Sequence, residues 1–273
     1  IHSLATDKEL LARFAQSFTY LRHHGIVSGT MRRPGELVME LMSFFGVGSP
    51  DALVPGTLMP QVSFHQSHAF TAEDASLATW LRMAGHVARE QPLQRAYDPV
   101  ALTEALPEIR SLSRTLQEAP FSFVERLERV GVKVVVQPEV RGCRAYGATF
   151  WEADRPIIVV STRGKTDGSL WFTLFHEICH VLRHPHGTYV EGAEHTASND
   201  QREEEANLFA EDQLIPVEAR VRFALLRTDR ELISFAEAEQ ISPGVVVHLL
   251  HFHEHWPYNR GRHHYARLTV AEQ

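Results

Sequence analysis

Between residues 1 and about 115, apolar positions recur mostly at helical spacing. Leu10, Leu11, Phe14, Phe18 and Leu21 fall three and four apart and predict one helix, with Asp7 placed to cap it. An apolar run over 35–45 predicts a second helix, closed by G-V-G-S-P. The stretch A-E-D-A-S-L-A-T-W-L-R-M-A-G-H-V-A-R-E predicts a long amphipathic helix. Residues 99–113 predict another, interrupted at Pro107 because proline lacks the N–H that the helix ladder needs.

The texture changes near Glu118. Residues 121–130 predict a helix ended by Gly131. V-K-V-V-V-Q-P is short and β-branched, C-R-A-Y-G-A-T-F-W alternates, and P-I-I-V-V-S is a continuous apolar run; these predict three strands. L-W-F-T-L-F-H-E-I-C-H-V-L-R-H follows, apolar on nearly every side, and predicts a buried helix. The polar stretch over 184–200 reads as a loop. Residues 203–215 read as a helix stopped by Pro216, and further helical segments over 217–250 turn at I-S-P-G.

The buried helix carries H-E-x-x-H. Residues i and i+4 share a helix face, so His176 and His180 can point at one ion. Glu177, about 100° further round, lies beside that ion and can take a proton from water. Two histidines and a glutamate within an apolar wall are costly without a partner, and a metal supplies one. Catalytic zinc takes three protein ligands and keeps one position open. The third is expected from R-E-E-E-A-N-L-F-A, where the inward stripe of Ala206, Phe209, Ala210 and Leu214 includes Glu203. Glu205 is the second choice, and Glu204 faces a flank. Asn207 is placed to orient a histidine ligand. Helix, three strands and then the H-E-x-x-H helix is the order of a zincin domain. The expectation is therefore an α+β fold with a small sheet and active-site helices, flanked by helical N- and C-terminal regions. In zincins the strand before the active helix often offers an edge for an extended substrate.

These residues resemble the ImmA/IrrE metallopeptidases. T-L-F-H-E-I-C-H-V-L-R-H followed by E-E-E-A-N-L-F-A-E-D-Q-L-I-P is similar to that family's H-E-x-G-H and E-x-E-A-N-x-F-A-x-x-L-L-x-P blocks. The resemblance covers residues 121–216, and 234–251 is similar to the family's C-terminal helical pair. It implies a zinc-dependent endopeptidase that cuts a helix-turn-helix repressor and so switches on stress, DNA-damage or defence genes. It implies His176, His180 and Glu203 as ligands of one zinc per chain, and Glu177 as catalytic base. The chain departs from the pattern where Cys179 replaces glycine, and no helix-turn-helix is evident before residue 120. The repressor is then a separate protein or belongs to a segment trimmed from this chain, which starts at Ile1 rather than Met. The expected organisation is a docking or sensing region over 1–117, the metallopeptidase domain over 118–225, and a C-terminal helical segment with a basic tail over 226–273.

Tyr146, Tyr189 and His195 are the candidates for stabilising an oxyanion. Cys143, at the expected start of a strand between two arginines, is a candidate inhibitory zinc ligand. Cys179 reads as a small packing residue, and His184 as a packing or hydrogen-bonding group at the helix end. Seventeen histidines are present. Among the late ones, His251, His253 and His255 would share a side if extended and could bind a second metal. The net charge is −7, which speaks against a globally basic nucleic-acid binder. The basic, aromatic tail leaves a nucleic-acid activator or an acidic partner open. Two cysteines, a polar N-terminus and no long apolar run point to a cytoplasmic location without a membrane span. A catalytically silent sensor that grips a repressor or nucleic acid is the competing function. A broad peptidase and a DNA-binding factor stand behind it.

Overall fold

The computed structural model describes residues 4–59, 71–91, 93, 95–162, 166–191 and 197–267. Among the described residues, seven α-helices precede the first strand: α1 (Leu4–Arg13), α2 (Phe18–His23), α3 (Pro34–Phe45), α4 (Pro55–Leu58), α5 (Ala72–Glu90), α6 (Pro99–Ser111) and α7 (Ser122–Glu128). The strands β1 (Lys133–Gln137), β2 (Gly147–Glu152) and β3 (Arg155–Ser161) lead into α8 (Asp167–Arg183), then β4 (Tyr189–Glu191) and α9 (Ala197–Leu214). The short α10 (Arg220–Ala224) precedes the pair α11 (Asp229–Glu239) and α12 (Pro243–Phe252). This is the α+β, zincin-like arrangement with helical flanks that the sequence implied.

The sheet runs β1-β3-β2-β4, with β1 parallel to β3 and the other pairs antiparallel. Side chains alternate across it. Val134, Ile158 and Val160 join the core around α8, with α6, α7, α9 and α12. Val135, Ala148, Ile157, Val159 and Val190 join a second core with α1, α3 and α5. Covered on both faces, β3 reads as an unbroken apolar run. The helix α6 lies before residue 117 yet packs in the core of α8 through Leu102, Leu106 and Ile109. Trp171 and Phe175, both fully buried on α8, each contribute about 1.5–3 kcal/mol by leaving water.

Several local expectations change. The first helix is two, because the chain turns at 14–17, where buried Ser17 accepts a hydrogen bond from Thr79 Oγ1 at 3.1 Å. Asp7 lies inside α1 and does not cap it. The helix α6 continues through Pro107; proline forfeits only one ladder bond, and burial of Leu102, Leu106 and Ile109 holds the helix together. Asp98 caps it, accepting from Val100 and Ala101 N–H at 3.0 Å. Gly131 takes φ +80, where a Cβ would lie 2.3 Å from Ala96 O, so glycine is required there. The polar stretch over 184–200 is not all loop. It contains β4, which is too short to show a period, and α9 begins at Ala197. The strand before the active helix, β3, is interior. The edge beside the site belongs to β4, which follows that helix.

Candidate metal centre

The helix α8 is anchored at its N-terminus by Thr166, whose hydroxyl accepts from Ser169 N–H at 3.4 Å. Asp167 holds two other segments there: Ser242 Oγ donates to it at 2.7 Å and Ala266 N–H at 3.1 Å. Ser242 is also the cap of α12, so one buried carboxylate ties α8, α12 and the C-terminal tail together. Burial raises its pKa from 3.8 to about 6, although the bonds from Ser242, Gly168 and Ala266 pull the other way.

Two turns along, His176, His180 and Glu203 converge. His176 Nε2 lies 3.0 Å from Glu203 Oε2 and 3.1 Å from His180 Nε2, and His180 Nε2 lies 3.5 Å from Glu203 Oε1. Bonds of 2.0–2.1 Å to a tetrahedral zinc place such donors about 3.3 Å apart, so the three fit one ion. All three residues are buried. The small Ala206 and Ala210, also fully buried, let α9 approach α8 and bring Glu203 in. As the helical phase required, Glu204 is exposed.

Without a cation, protons balance the charge of the site. Burial depresses the His176 imidazole, but Glu203, Glu191 and Glu177 outweigh it and raise its pKa to about 9. Burial lowers His180 to about 4, aided by the neighbouring His176 and His184. Glu203, despite its burial, is held down to about 2 by its bonds to the two histidines. Burial raises Glu177 well above the carboxylate range and also raises Glu191. A divalent cation would compensate the clustered carboxylates.

The ring nitrogens turned away from the convergence point have partners. His176 Nδ1 lies 2.9 Å from Asn207 Oδ1, where Asn207 was expected. His180 Nδ1 lies 3.0 Å from His184 Nδ1, and His184 Nε2 lies 3.1 Å from Glu205 Oε2. With protons on His176 Nδ1, His180 Nδ1 and His184 Nε2, every contact becomes a hydrogen bond. Both inner Nε2 atoms are then left as lone pairs facing the ion site, as metal ligation demands. Glu205, second choice as a ligand, instead terminates this chain and also pairs with Arg183 at 2.8 Å.

Glu177 Oε2 accepts from Thr149 Oγ1 at 2.7 Å, whereas Oε1 is buried with no hydrogen-bond partner. Gly147 lets β2 pass directly under it: a Cβ there would lie 2.6 Å from Glu177 Oε1 and 2.5 Å from Thr173 Cγ2. Tyr189, on β4, stacks flat on His180 with ring centroids 4.2 Å apart, and its hydroxyl accepts from Arg202 at 2.9 Å. Tyr146 is 38% exposed just before β2, and His195 lies outside the described residues.

Cys143 is not at the site. It follows Gly142 (φ +86), four residues ahead of β2, and is buried in the core on the opposite sheet face, near Tyr20. The inhibitory-ligand expectation is therefore corrected: the two arginines suggested a reactive thiol, but tertiary packing turns it into the second core. Cys179 is fully buried beside α9, with Sγ 3.9 Å from Glu205 O. The late histidines do not form one extended row, because α12 runs to Phe252. His251 bonds to Tyr265 Oη and Arg260 O, and His253 pairs with Glu211 at 3.2 Å.

Residues the sequence did not single out are Thr149, Thr173, Glu191, Gly147 and, as a partner of His184, Glu205. Thr149 sits in a plain alternating strand and Glu191 in a three-residue strand, so neither carried a local signal. Glu205 and His184 were readable in phase, eight residues separating His184 from His176 on one α8 face, but their pairing needs the α8–α9 crossing.

No described helix is long and apolar enough to cross a membrane. A search of curated proteins found no match to the chain. Residues 127–251 match the family model described as the IrrE N-terminal-like domain, from the end of α7 through β1–β4, α8 and α9 to α12. Over those residues the chain is therefore similar to the metallopeptidase domain of the ImmA/IrrE family.

Proposed function

We propose that this chain is a zinc-dependent, site-specific endopeptidase acting in the cytoplasm on a partner helix-turn-helix repressor, whose cleavage switches on stress, DNA-damage or defence genes. The observation that carries the reading is the state of Glu177. One oxygen is fixed by Thr149 and the other is unengaged beside three converging ligand atoms. A protein that only grips its partner has no need of such a base.

A divalent cation held by His176, His180 and Glu203 would supply Lewis acidity toward a peptide carbonyl and acidify water. Glu177 would take the proton at Oε1 and return it to the leaving amine nitrogen, with Thr149 holding Oε2 throughout. Tyr189, packed on His180 and fixed by Arg202, is the better placed of the two described oxyanion candidates. The edge of β4, which carries Tyr189, supports an extended substrate strand lying across the site. Of the region before residue 117, α6 belongs to the core of α8 and the helices α1–α5 are the docking or sensing region in this reading.

The test compares protein N-termini in cells expressing the wild type or Glu177→Gln. A new N-terminus confined to a transcriptional regulator, and seen only with the wild type, supports the reading. Cuts scattered over unrelated proteins indicate a broad peptidase. Equal regulatory effects of both forms without any cut indicate a silent sensor, and either result overturns the proposal.

A further inference from the structure

The geometry that gathers ligand atoms at the buried centre recurs at one other place among the described residues. Asp229 opens α11, and His263 and His264 lie in the tight turn Arg262–His264. Asp229 Oδ2 is 3.1 Å from His263 Nε2 and 3.4 Å from His264 Nε2, and the two rings are 4.0 Å apart at 41°. These spacings again match donors around a single tetrahedral ion. His264 Nε2 is buried and makes no hydrogen bond, although its side chain is only 14% exposed and it faces the carboxylate. A 3.4 Å contact without hydrogen-bond geometry satisfies that buried nitrogen poorly, and a cation would satisfy it.

The turn is built before any ion arrives. Gly261 takes φ +73 and reverses the chain against Trp256 and Val247. His264 N–H then bonds Gly261 O at 2.9 Å, which puts adjacent histidines on the same side. Beyond the turn, Tyr265 Oη meets His251 Nδ1 at 3.1 Å. Asp167 N–H donates to Ala266 O at 3.0 Å, and Thr166 bridges Arg267. The tail thus clasps the N-terminus of α8, the helix carrying His176 and His180.

We propose that Asp229, His263 and His264 form a second, surface site for a first-row divalent cation such as zinc, which fastens the C-terminal turn to α11. Two imidazoles and one carboxylate select zinc, nickel or copper over magnesium or calcium. Asp229 is 47% and His263 66% exposed, so water completes the shell and the ion exchanges with solvent. The site binds more weakly than the buried one and reports free zinc through the tail.

The experiment titrates zinc chloride by calorimetry into full-length protein already loaded at the buried centre, followed by hydrogen exchange over 261–267. Wild type is expected to bind one further equivalent and to gain protection in that segment. Asp229→Ala and the double variant His263→Ala/His264→Ala lose that uptake, and His253→Ala, outside the cluster, keeps it. His180→Ala, emptied at the buried centre, is still expected to bind one zinc here, so failure of the catalytic reading and failure of this one are separable. No further uptake by wild type, uptake unchanged in the double variant, or uptake without protection of 261–267 would overturn the proposal.

Discussion

Replacing Asp167 by asparagine should remove a distinct pH dependence from stability. The native carboxyl has a pKa of about 6 against 3.8 for the free group, a difference worth about 3 kcal/mol. Between about pH 4 and 6 the native state holds this proton and the unfolded chain does not. Wild-type stability therefore falls as pH rises through that window. Below about pH 4 both states hold the proton and the cost vanishes, whereas above pH 6 the full cost is present. Asparagine keeps the acceptor for Ala266 N–H and has no proton to lose. It places an amide where Ser242 Oγ now donates, so a roughly constant penalty of about 1 kcal/mol is also expected. Tyr265 and His248 flank the same pocket and are present in both proteins, so they cancel in the comparison. Urea unfolding of both proteins from pH 4.5 to 8 reads the difference directly. The stability of the variant relative to wild type should rise by a large part of that 3 kcal/mol between pH 4.5 and 7, then level off. A difference that is flat with pH, or that moves against the variant, would refute the reasoning.

Other perturbations report on the site itself. Gly147→Ala puts a methyl 2.5 Å from Thr173 Cγ2 and 2.6 Å from Glu177 Oε1, about 1 Å inside normal contact. It should cost about 1–3 kcal/mol in thermal unfolding and on the order of 100-fold in cleavage, with zinc retained; unaltered cleavage would contradict the close approach. Removing an orienting partner, by Asn207→Ala or Glu205→Ala, should weaken zinc about 10–100-fold in competition with a chelator. Asn207→Asp, which keeps the acceptor, should lose much less, and equal losses would assign Asn207 a merely structural role. Thr149→Val frees Glu177 Oε2, so it should lower turnover more than it raises KM and leave zinc affinity unchanged.

The catalytic helix was legible because its chemistry is local: the i, i+4 histidines and the phase of Glu203 with Ala206 and Ala210 require only one helix each. What joins them needed tertiary contacts. Nothing in T-Y-V-E announced that three residues would pair with β2, place Tyr189 on His180 and bring Glu191 under the site. Cys143 shows the converse. Its neighbours suggested reactivity, but the second core, shared with helices more than fifty residues earlier in the chain, decides where it points. The break at 14–17 has the same origin, since the apolar spacing continues across it while the bond from Thr79 reaches Ser17 from a distant helix.

The central claim is a three-ligand metal centre, and zinc content per chain tests it most directly. The count is best made in the His263→Ala/His264→Ala background after dialysis against a mild chelator, so that only the buried group is read. About one zinc is expected in that parent and in Glu177→Gln, and almost none once His180→Ala or Glu203→Ala is added. Zinc that survives both ligand substitutions, or a parent that takes up none on titration, would contradict the account.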